Sequence, residues 1–356
     1  MKRELIVKNF VNIKEAVYEP KKFNVIIGEQ ATGKSLLVKL DYFFNEVIEF
    51  IFSSFPNKDL IKPIISAMFF KYFNEDILNN FEFEITYLFD IFSIKLIKKI
   101  NKDLEIYLDK RIDTTNKHLN QLQSVFIPAG RSYFSNIDKN IFFMLEQNAR
   151  IDKFLIKFGS SYETLKGSIP KVEQEFILSR VEEILKGKIE LDNNNKIGIK
   201  SNYFTELFYA SSGQQESLPM LLVLLDAISS KNSKNIYVEE PEAHLYPKSQ
   251  KSILEILSYL YNLGNTITIT THSPYIITAI NNLLLANEVK DKLDTSNLLE
   301  LKNFAIDSSD IGVYAIEDGV LKSSFDDENG LINAYTIDKI SDEFSQTFNQ
   351  LLDLEE

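Results

Sequence analysis

The sequence contains no cysteine and no tryptophan, and it has only 3 histidines among 356 residues. Without cysteine there can be no disulfide bond, no thiol nucleophile and no cysteine-ligated metal. So few histidines also argue against a histidine-rich metal site. The longest apolar run, residues 218–225, is far shorter than the roughly 20 residues that a membrane-spanning helix needs. These absences leave out the secreted disulfide-rich and the membrane-spanning classes of protein.

Positive charge is scarce relative to negative charge. The chain has 39 Lys and Arg against 51 Asp and Glu, a formal net charge of −12. This balance argues against a generally basic nucleic-acid coat protein, although a local basic face stays open. Hydrophobic residues make up 44% and charged residues 25%, as in globular chains. The first ten residues carry no small-residue cleavage site, so we expect a cytoplasmic protein without a membrane partner.

Strand-like and helix-like segments alternate along the chain, which predicts an α/β fold with a largely parallel sheet and an antiparallel addition. Predicted strands and hairpins cover residues 3–18 (two strands), 22–28, 81–111 (an antiparallel meander), 124–130, 235–240, 266–271 and 311–323 (a hairpin turning at Asp318-Gly319), with a turn over 192–195 between two further short strands. Predicted helices cover 35–54, 60–73, most of 132–190 with breaks at Gly159, Gly167 and Pro170, then 214–230, 247–263 and an acidic stretch over 337–356.

A glycine-containing loop lies between the predicted strand 22–28 and the predicted helix 35–54. Its sequence, GEQATGKS, fits G-x-x-x-x-G-K-[ST] in full and in the strand–helix context that this pattern requires. Backbone N–H groups and the helix dipole of such a loop bind phosphate, Lys34 reaches the β- and γ-phosphates, and the Ser35 hydroxyl can ligate Mg²⁺. The alternative is a chance glycine-rich turn. The predicted phosphate-binding residues are Gly28, Glu29, Gln30, Ala31, Thr32, Gly33, Lys34 and Ser35.

Two carboxylates stand at the end of the apolar strand predicted over 235–240, in the sequence NIYVEE. The carboxyl end of a strand in an open α/β sheet faces the ligand crevice. We therefore expect Glu239 to hold Mg²⁺, directly or through water, and Glu240 to act as general base toward the attacking water. The alternative is a solvated pair of glutamates.

His272 directly follows the strand predicted over 266–271. A histidine just past a strand end can hydrogen-bond a γ-phosphate or the attacking water and so report whether the phosphate is present. A lone histidine is more often a surface or core residue, and His272 gains its role only beside the two motifs above. The predicted catalytic residues are thus Glu240, His272 and Lys34.

A second small-residue helix start, ASSGQQE over 210–216, opens the apolar helix predicted over 214–230. A helix N-terminus of this kind accepts anions, and one nucleotide rarely needs two of them. The second one is explained if it faces the nucleotide of another subunit. The alternative is an ordinary serine-capped helix with Ser211 or Ser212 as the N-cap.

The order of these motifs resembles that of ABC-type ATPase heads: phosphate loop, serine-rich signature, acidic strand, histidine. The motif sequences SSGQQE, EEPEAHLYP and THSP resemble those of the branch that contains RecF, the structural-maintenance-of-chromosomes (SMC) proteins and the overcoming-lysogenization-defect (OLD) ATPases. They are most similar to those of short AAA-family ATPases of bacterial defence operons. The resemblance covers residues 3–280. It implies a P-loop NTPase fold with a mixed central sheet, an antiparallel β addition and a helical lobe.

The resemblance also implies ATP and Mg²⁺ as cofactors and assigns roles to individual residues. The signature residues that contact the γ-phosphate bound to a second copy are Ser211, Ser212, Gly213 and Gln214. The sequence departs from the usual pattern at Ala210, where leucine is usual, at Ser212, where glycine is usual, and at Glu239, where aspartate is usual. Residues 242–245 occupy the position of a loop that crosses the dimer interface.

Two polar residue types near the predicted strand 124–130 leave alternatives open. Gln121 and Gln123 are the nearest candidates for the glutamine of the family's Gln-loop. Arg131 follows the strand. It is either a phosphate or interface arginine or a surface arginine at a helix start.

The length of the chain bears on its domains. The 176-residue interval from Ser35 to Ser211 shows no sustained heptad, so we expect no coiled-coil arm. The 84 residues after His272 lack a nuclease-like acidic strand pattern, so we expect no nuclease domain. We expect a single head over 1–356, with lobe I over about 1–130 plus 231–356 and a helical lobe II over about 131–230.

Two charged stretches are candidate partner surfaces. The basic stretch 95–102, with Lys110 and Arg111, is better explained as a solvated sheet edge than as a DNA groove, so nucleic-acid binding stays open without strong support. The acidic segment 337–356 would either dock onto a basic partner or pack back on its own sheet.

Together these patterns predict an ATP-binding and ATP-hydrolysing head that dimerises around ATP, as a homodimer or a higher even-numbered oligomer. The resemblance implies that it regulates or recruits a separately encoded effector, a nuclease or toxin, in phage defence or DNA repair. One alternative is an ATP-dependent scaffold with negligible hydrolysis. Another is a small-molecule phosphotransferase. A transporter ATPase is disfavoured by the EEPEAH wording.

Overall fold

Short apolar strands and amphipathic helices alternate through the fold. The computed structural model describes residues 3–54, 58–90, 92–109, 123–133, 151–326, 328–332 and 350. The strands are β1 (Arg3–Phe10), β2 (Ile13–Tyr18), β3 (Phe23–Ile27), β4 (Phe83–Phe89), β5 (Phe92–Lys98), β6 (Glu105–Leu108), β7 (Ser124–Ile127), β8 (Lys188–Leu191), β9 (Ile197–Lys200), β10 (Phe204–Glu206), β11 (Asn235–Glu239), β12 (Thr266–Thr271), β13 (Ile311–Glu317), β14 (Val320–Ser323), β15 (Phe325–Asp326) and β16 (Leu331–Ile332). The helices are α1 (Lys34–Ser54), α2 (Lys58–Phe73), α3 (Glu75–Leu78), α4 (Lys153–Leu165), α5 (Glu175–Leu185), α6 (Ser212–Ser229), α7 (Pro247–Asn262) and α8 (Pro274–Glu288).

One mixed sheet of eleven strands organises the molecule, in the order β6-β5-β4-β1-β2-β14-β13-β3-β12-β11-β7. The strands β13, β3, β12, β11 and β7 are parallel to one another. At the other end of the sheet, β2, β1, β4, β5 and β6 are antiparallel neighbours. Strands β8, β9 and β10 form a separate small sheet. The predicted fold class, a mixed central sheet with an antiparallel addition, is confirmed.

The parallel strands are buried because helices cover both faces of the sheet. In β3, Phe23, Val25 and Ile27 point into the core formed with α5, α6, α7 and α8, while Ile26 points into the core formed with α1 and α2. A strand covered on both faces is apolar at nearly every position, and this explains the run KFNVIIG. Its polar exception, Asn24, is buried and donates to the carbonyls of Lys21 and Ile267. None of the helices in the described part of the chain has both the length and the apolar character needed to cross a membrane.

Most predicted elements are confirmed, and the differences have physical reasons. The predicted break at Gly159 is wrong, because Gly159 lies buried inside α4. Its neighbours Phe158 and Tyr162 are core residues, and their burial outweighs the cost of about 1 kcal/mol for a glycine within a helix. The breaks at Gly167 and Pro170 are confirmed, since both residues lie between α4 and α5. The predicted acidic helix over 337–356 falls outside the described residues except at position 350.

The basic stretch 95–102 does not form a continuous positive surface. Lys95 Nζ lies 3.0 Å from Glu84 Oε1 on the neighbouring strand β4. Lys98 is buried, and its ammonium group donates to the carbonyl of Lys102. Strand β5 is paired on both sides, with β4 and with β6, so the interpretation of this stretch as a sheet edge is wrong. The contacts of Lys95 and Lys98 instead leave it with mixed charge.

A buried polar network joins β11 to α1. The Tyr237 hydroxyl accepts from Asn45 Nδ2 at 2.7 Å and donates to Asp41 Oδ2 at 2.8 Å. Arg3 Nη1 donates to Asn45 Oδ1 at 3.1 Å from the antiparallel side of the sheet. The network therefore connects the strand that carries the two acidic residues, the helix that follows the phosphate loop and the first strand of the chain.

We expect Tyr237→Phe to lower the free energy of unfolding by about 1–3 kcal/mol, because it removes a donor from the buried carboxylate of Asp41. Chemical denaturation followed by circular dichroism measures the change. Tyr107→Phe is the matched control, since the Tyr107 hydroxyl bonds Glu105 on the exposed face of β6. Equal stability of the two variants would contradict a stabilising role for the network.

Candidate functional site

The predicted motifs meet where four parallel strands end. Ile27 of β3 pairs with Thr271 of β12, and Glu239 of β11 pairs with Thr270. This in-register alignment brings the loops after β3, β11, β12 and β7 to one edge of the sheet, which we call the carboxyl edge. In open α/β sheets this edge is where ligands bind.

The phosphate loop curls tightly between β3 and α1. Lys34 Nζ donates to the carbonyls of Gly28 at 2.6 Å and Glu29 at 2.5 Å, so the ammonium group lies within the curve of the loop. Gly28 has φ +152°, and a Cβ there would lie 2.9 Å from the carbonyl oxygen of Ile316. Asn12 Nδ2, from the turn between β1 and β2, supports the loop by donating to the carbonyl of Ala31 at 2.9 Å. Burial lowers the pKa of Lys34, and the carboxylates of Glu240, Glu242 and Glu29 oppose that shift.

Glu239 is almost completely buried at the end of β11, with 4% of its surface exposed. Its Oε2 accepts from the backbone N–H of Ala129 at 3.1 Å. Its Oε1 is buried without a hydrogen-bond partner among the described residues. A buried carboxylate oxygen is costly unless it is paired or bound to a metal, and Mg²⁺ prefers oxygen ligands. Glu239 therefore fits the expected Mg²⁺ position, together with the exposed Ser35 at the start of α1.

Glu240 and His272 face each other across the ends of β11 and β12. His272 Nδ1 lies 3.7 Å from Glu240 Oε1 and 3.7 Å from Glu242 Oε1. The Glu240 side chain is 29% exposed and that of His272 is 44% exposed, so both can reach a ligand at the carboxyl edge.

Glu242 is a third carboxylate at this edge, and it is fixed by the loop after β12. It is 5% exposed. Its Oε1 accepts from the Thr271 hydroxyl at 2.6 Å and from the His272 N–H at 3.0 Å. The family resemblance implies only an interface-loop position for Glu242; its place two residues after Glu240 in EEPE is the signal in the sequence for a third carboxylate at this edge. Glu242 is buried within its own chain and orients the backbone of His272.

The signature segment starts α6 and packs on the loop after β11. Gln214 Oε1 accepts from the N–H of Ser211 at 3.1 Å and from its hydroxyl at 3.0 Å, which closes the first turn of the helix. A Cβ at Gly213 would lie 2.8 Å from the carbonyl oxygen of His244, so glycine is required for this close approach. Ser211 and Ser212 are exposed. The signature thus exposes two serine side chains at its surface, and the hydroxyl of Ser211 also closes the capping box with Gln214.

The structure bears on the two assignments that the sequence left open, the Gln-loop glutamine and the role of Arg131. Gln123 precedes β7 and its carbonyl accepts from the N–H of Asn235, at the amino end of both strands. It therefore lies at the edge opposite the site, and its assignment as the Gln-loop glutamine is wrong. Gln121 lies outside the described residues. Arg131 is 0% exposed and its guanidinium group bonds backbone carbonyls of its own chain, so neither the surface interpretation nor the phosphate or interface interpretation holds.

Comparison with known protein families finds a match for the central segment of the chain. Residues 123–277 match the sequence model of the AAA ATPase domain. This segment contains the signature, the acidic strand and His272, while the phosphate loop precedes it. The predicted resemblance to an ATPase is confirmed. Among curated proteins, none matches this chain at a significant level.

Solved structures that align with this chain include two SMC heads and RecF. An SMC head bound to the C-terminal winged-helix domain of ScpA is 14% identical, with 90% of this chain and 96% of that chain covered at a TM-score of 0.47. The SMC head domain from Thermotoga maritima is 12% identical, with 90% and 97% covered at a TM-score of 0.42. The recombination mediator RecF is 16% identical, with 91% and 98% covered at a TM-score of 0.37.

Proposed function

We propose that this chain, whose residues 123–277 match the AAA ATPase domain, binds ATP with Mg²⁺ at the carboxyl edge and hydrolyses it. The observation that carries the proposal is the meeting of three motifs at one edge. Lys34 lies within the phosphate loop, Glu239 is buried with one carboxylate oxygen that no described residue bonds, and Glu240 faces His272 at 3.7 Å. These are the groups that nucleotide hydrolysis requires.

The phosphate loop would bind the triphosphate through its backbone N–H groups and Lys34. In the structure Lys34 Nζ donates to two carbonyls of its own loop, so it is already held at the position where phosphate oxygens would be received. The start of α1 adds the positive end of its dipole. Binding then replaces carbonyl oxygens by charged phosphate oxygens, which are stronger acceptors.

Glu240 would take a proton from the attacking water, and His272 would orient that water or the γ-phosphate. A general base must lie within hydrogen-bond reach of the proton that it accepts, and Glu240 is exposed toward the edge while Glu239 is not. Glu239 and Ser35 would hold Mg²⁺, which when bound neutralises charge that develops on the phosphates.

We further propose that two copies associate around ATP, with Ser211, Ser212, Gly213 and Gln214 of one copy facing the nucleotide of the other. The exposed hydroxyl groups of Ser211 and Ser212 support this arrangement. The head would comprise lobe I (1–130 and 231–356) and lobe II (131–230). In the defence or DNA-repair role implied by the resemblance, it would control a separately encoded nuclease or toxin.

Steady-state phosphate release from the purified chain tests the proposal. We expect release that requires ATP and Mg²⁺ and whose specific rate rises with protein concentration, because the second copy supplies the signature. ATP binding without release would favour the scaffold alternative. A specific rate independent of concentration, with phosphate transferred to a small acceptor, would favour the phosphotransferase.

A magnesium titration tests the role of Glu239. We expect Glu239→Gln to raise the Mg²⁺ concentration for half-maximal phosphate release by about 10- to 100-fold, because a ligand or an outer-shell partner of the metal is weakened. Chelation of divalent cations by EDTA should stop release by the unmodified chain. An unchanged half-maximal concentration in Glu239→Gln would place the metal elsewhere.

A further inference from the structure

Arg131 lies completely buried between the acidic strand and the signature helix. Its Nη1 donates to the carbonyls of Pro128 at 2.9 Å and Glu239 at 2.7 Å, and its Nη2 donates to the carbonyl of Glu240 at 3.1 Å. One guanidinium group therefore bonds the backbone of both acidic residues at the end of β11. Such a fully buried arginine is rare unless its donors are matched in this way.

Glu216, in the first turns of α6, is the charged partner of Arg131. Arg131 Nε lies 3.4 Å from Glu216 Oε2 and donates to the Glu216 carbonyl at 3.3 Å. The Glu216 carboxylate also accepts from the N–H of Arg131 at 2.9 Å and from the N–H and the hydroxyl of Ser132 at 3.0 and 2.7 Å. The pair thus joins the loop after β7 to the signature helix. Burial lowers the pKa of Arg131, and Glu216 and Glu239 oppose that shift.

The backbone that Arg131 holds is strained at Glu240, which has φ +43°. A non-glycine residue in the left-handed region persists only where its surroundings fix it. At Glu240 the N–H donates to the carbonyl of Thr270 at 3.0 Å, and the carbonyl accepts from Arg131. The direction of the Glu240 side chain therefore depends on the guanidinium group.

We infer that Arg131 is the positioning residue for Glu240 and that, with Glu216, it links the start of the signature helix to the acidic strand end within one chain. This inference rests on the proposed ATPase function and adds a coupling to it. Through the pair, a shift of the signature helix changes the aim of Glu240. Arginine is needed because its planar fork donates to several carbonyls in fixed directions, whereas lysine is a point charge.

The test compares Arg131→Lys and Glu216→Gln with a matched pair elsewhere in the full chain. Arg180 Nε lies 2.8 Å from Glu255 Oε2, so Arg180→Lys and Glu255→Gln also weaken a partly buried pair, one made by α5 and α7. Calorimetry measures the Kd for ATP with Mg²⁺, phosphate release gives kcat, and thermal unfolding gives the Tm. Glu216→Gln keeps the shape of the side chain and serves if Arg131→Lys does not fold.

We expect Arg131→Lys and Glu216→Gln to lower kcat by about 10- to 100-fold, because a small misplacement of a reacting group is costly. Their Kd for ATP should stay within about threefold of the parent, and Arg180→Lys should change kcat by no more than about twofold. An unchanged kcat in both site variants overturns the inference. The inference is also overturned if the variants of both pairs, Arg131 with Glu216 and Arg180 with Glu255, lose kcat in the same proportion to their loss of Tm. Absence of turnover in the parent chain, with ATP bound, overturns the proposed hydrolysis and the inference together.

Discussion

Replacing Glu240 by glutamine should nearly abolish ATP turnover while leaving ATP binding intact. The amide cannot accept a proton from water, and a positioned general base contributes about 10²- to 10⁴-fold to such a reaction. The substitution preserves the size of the side chain and the backbone bonds of Glu240 to Thr270 and Arg131. Phosphate release measures the rate, and calorimetry measures the affinity.

The same variant tests association, because a copy that binds ATP without hydrolysing it should accumulate as a dimer. Size-exclusion chromatography with and without ATP would detect the larger species. Glu105→Gln in β6 is the control, since Glu105 is exposed on the antiparallel part of the sheet. A Glu240→Gln chain that releases phosphate at the parent rate would remove Glu240 from the mechanism.

Replacing Lys34 by alanine should remove most of the ATP affinity. A hydrogen bond to a charged group contributes about 1.5–3 kcal/mol, and loss of two such bonds to phosphate oxygens weakens binding by roughly 10²- to 10⁴-fold. Calorimetry with ATP and Mg²⁺ measures the change. Lys39→Ala, on the same helix, is the matched control, because Lys39 pairs with Asp152 at 2.7 Å and lies away from the loop.

Stability distinguishes a lost ligand contact from a damaged fold. Burial lowers the pKa of Lys34, so its charged form is disfavoured in the folded chain relative to the unfolded one. Below the ordinary lysine pKa, removal of this charge relieves that cost but also removes the two hydrogen bonds to the loop carbonyls, so the Tm should stay close to that of the parent. If the Lys34→Ala chain unfolds at a much lower temperature, the lost affinity is due to misfolding. If its ATP affinity equals that of the parent, Lys34 is not part of the site.

Local patterns predicted the elements of the fold well where one requirement dominated. The run KFNVIIG is almost continuously apolar because both faces of β3 are covered, and the alternation in β4 and β5 follows from one covered face. Gly159 was mispredicted because a helix break is a local preference of about 1 kcal/mol, which core contacts easily exceed. Gln123 was one of two candidates for the Gln-loop glutamine, and the sequence could not exclude it because composition does not reveal which end of a strand faces the site.

The residues of the site likewise fall into those that local motifs predict and those that only the fold brings together. Local motifs were enough to predict Lys34, Glu239 and Glu240, since each motif lies in one short segment at the end of a strand, and His272 was added because it follows a strand beside them. No spacing indicated Glu216, which acts across the fold on Arg131, or Asn12, which supports the phosphate loop from another strand pair. Such partners are far apart in sequence, and the register of the sheet determines that they meet.

The sequence by itself therefore determined the α/β class and was enough to predict a phosphate loop and an acidic strand end, because these depend on residue types at fixed local separations. Only the tertiary structure decided that Arg131 is buried rather than exposed and that Glu242 holds the loop of His272. It also decided that the first turns of the signature helix are tied to the acidic strand. Burial and hydrogen-bond partners depend on which elements pack together, and packing is a property of the whole fold.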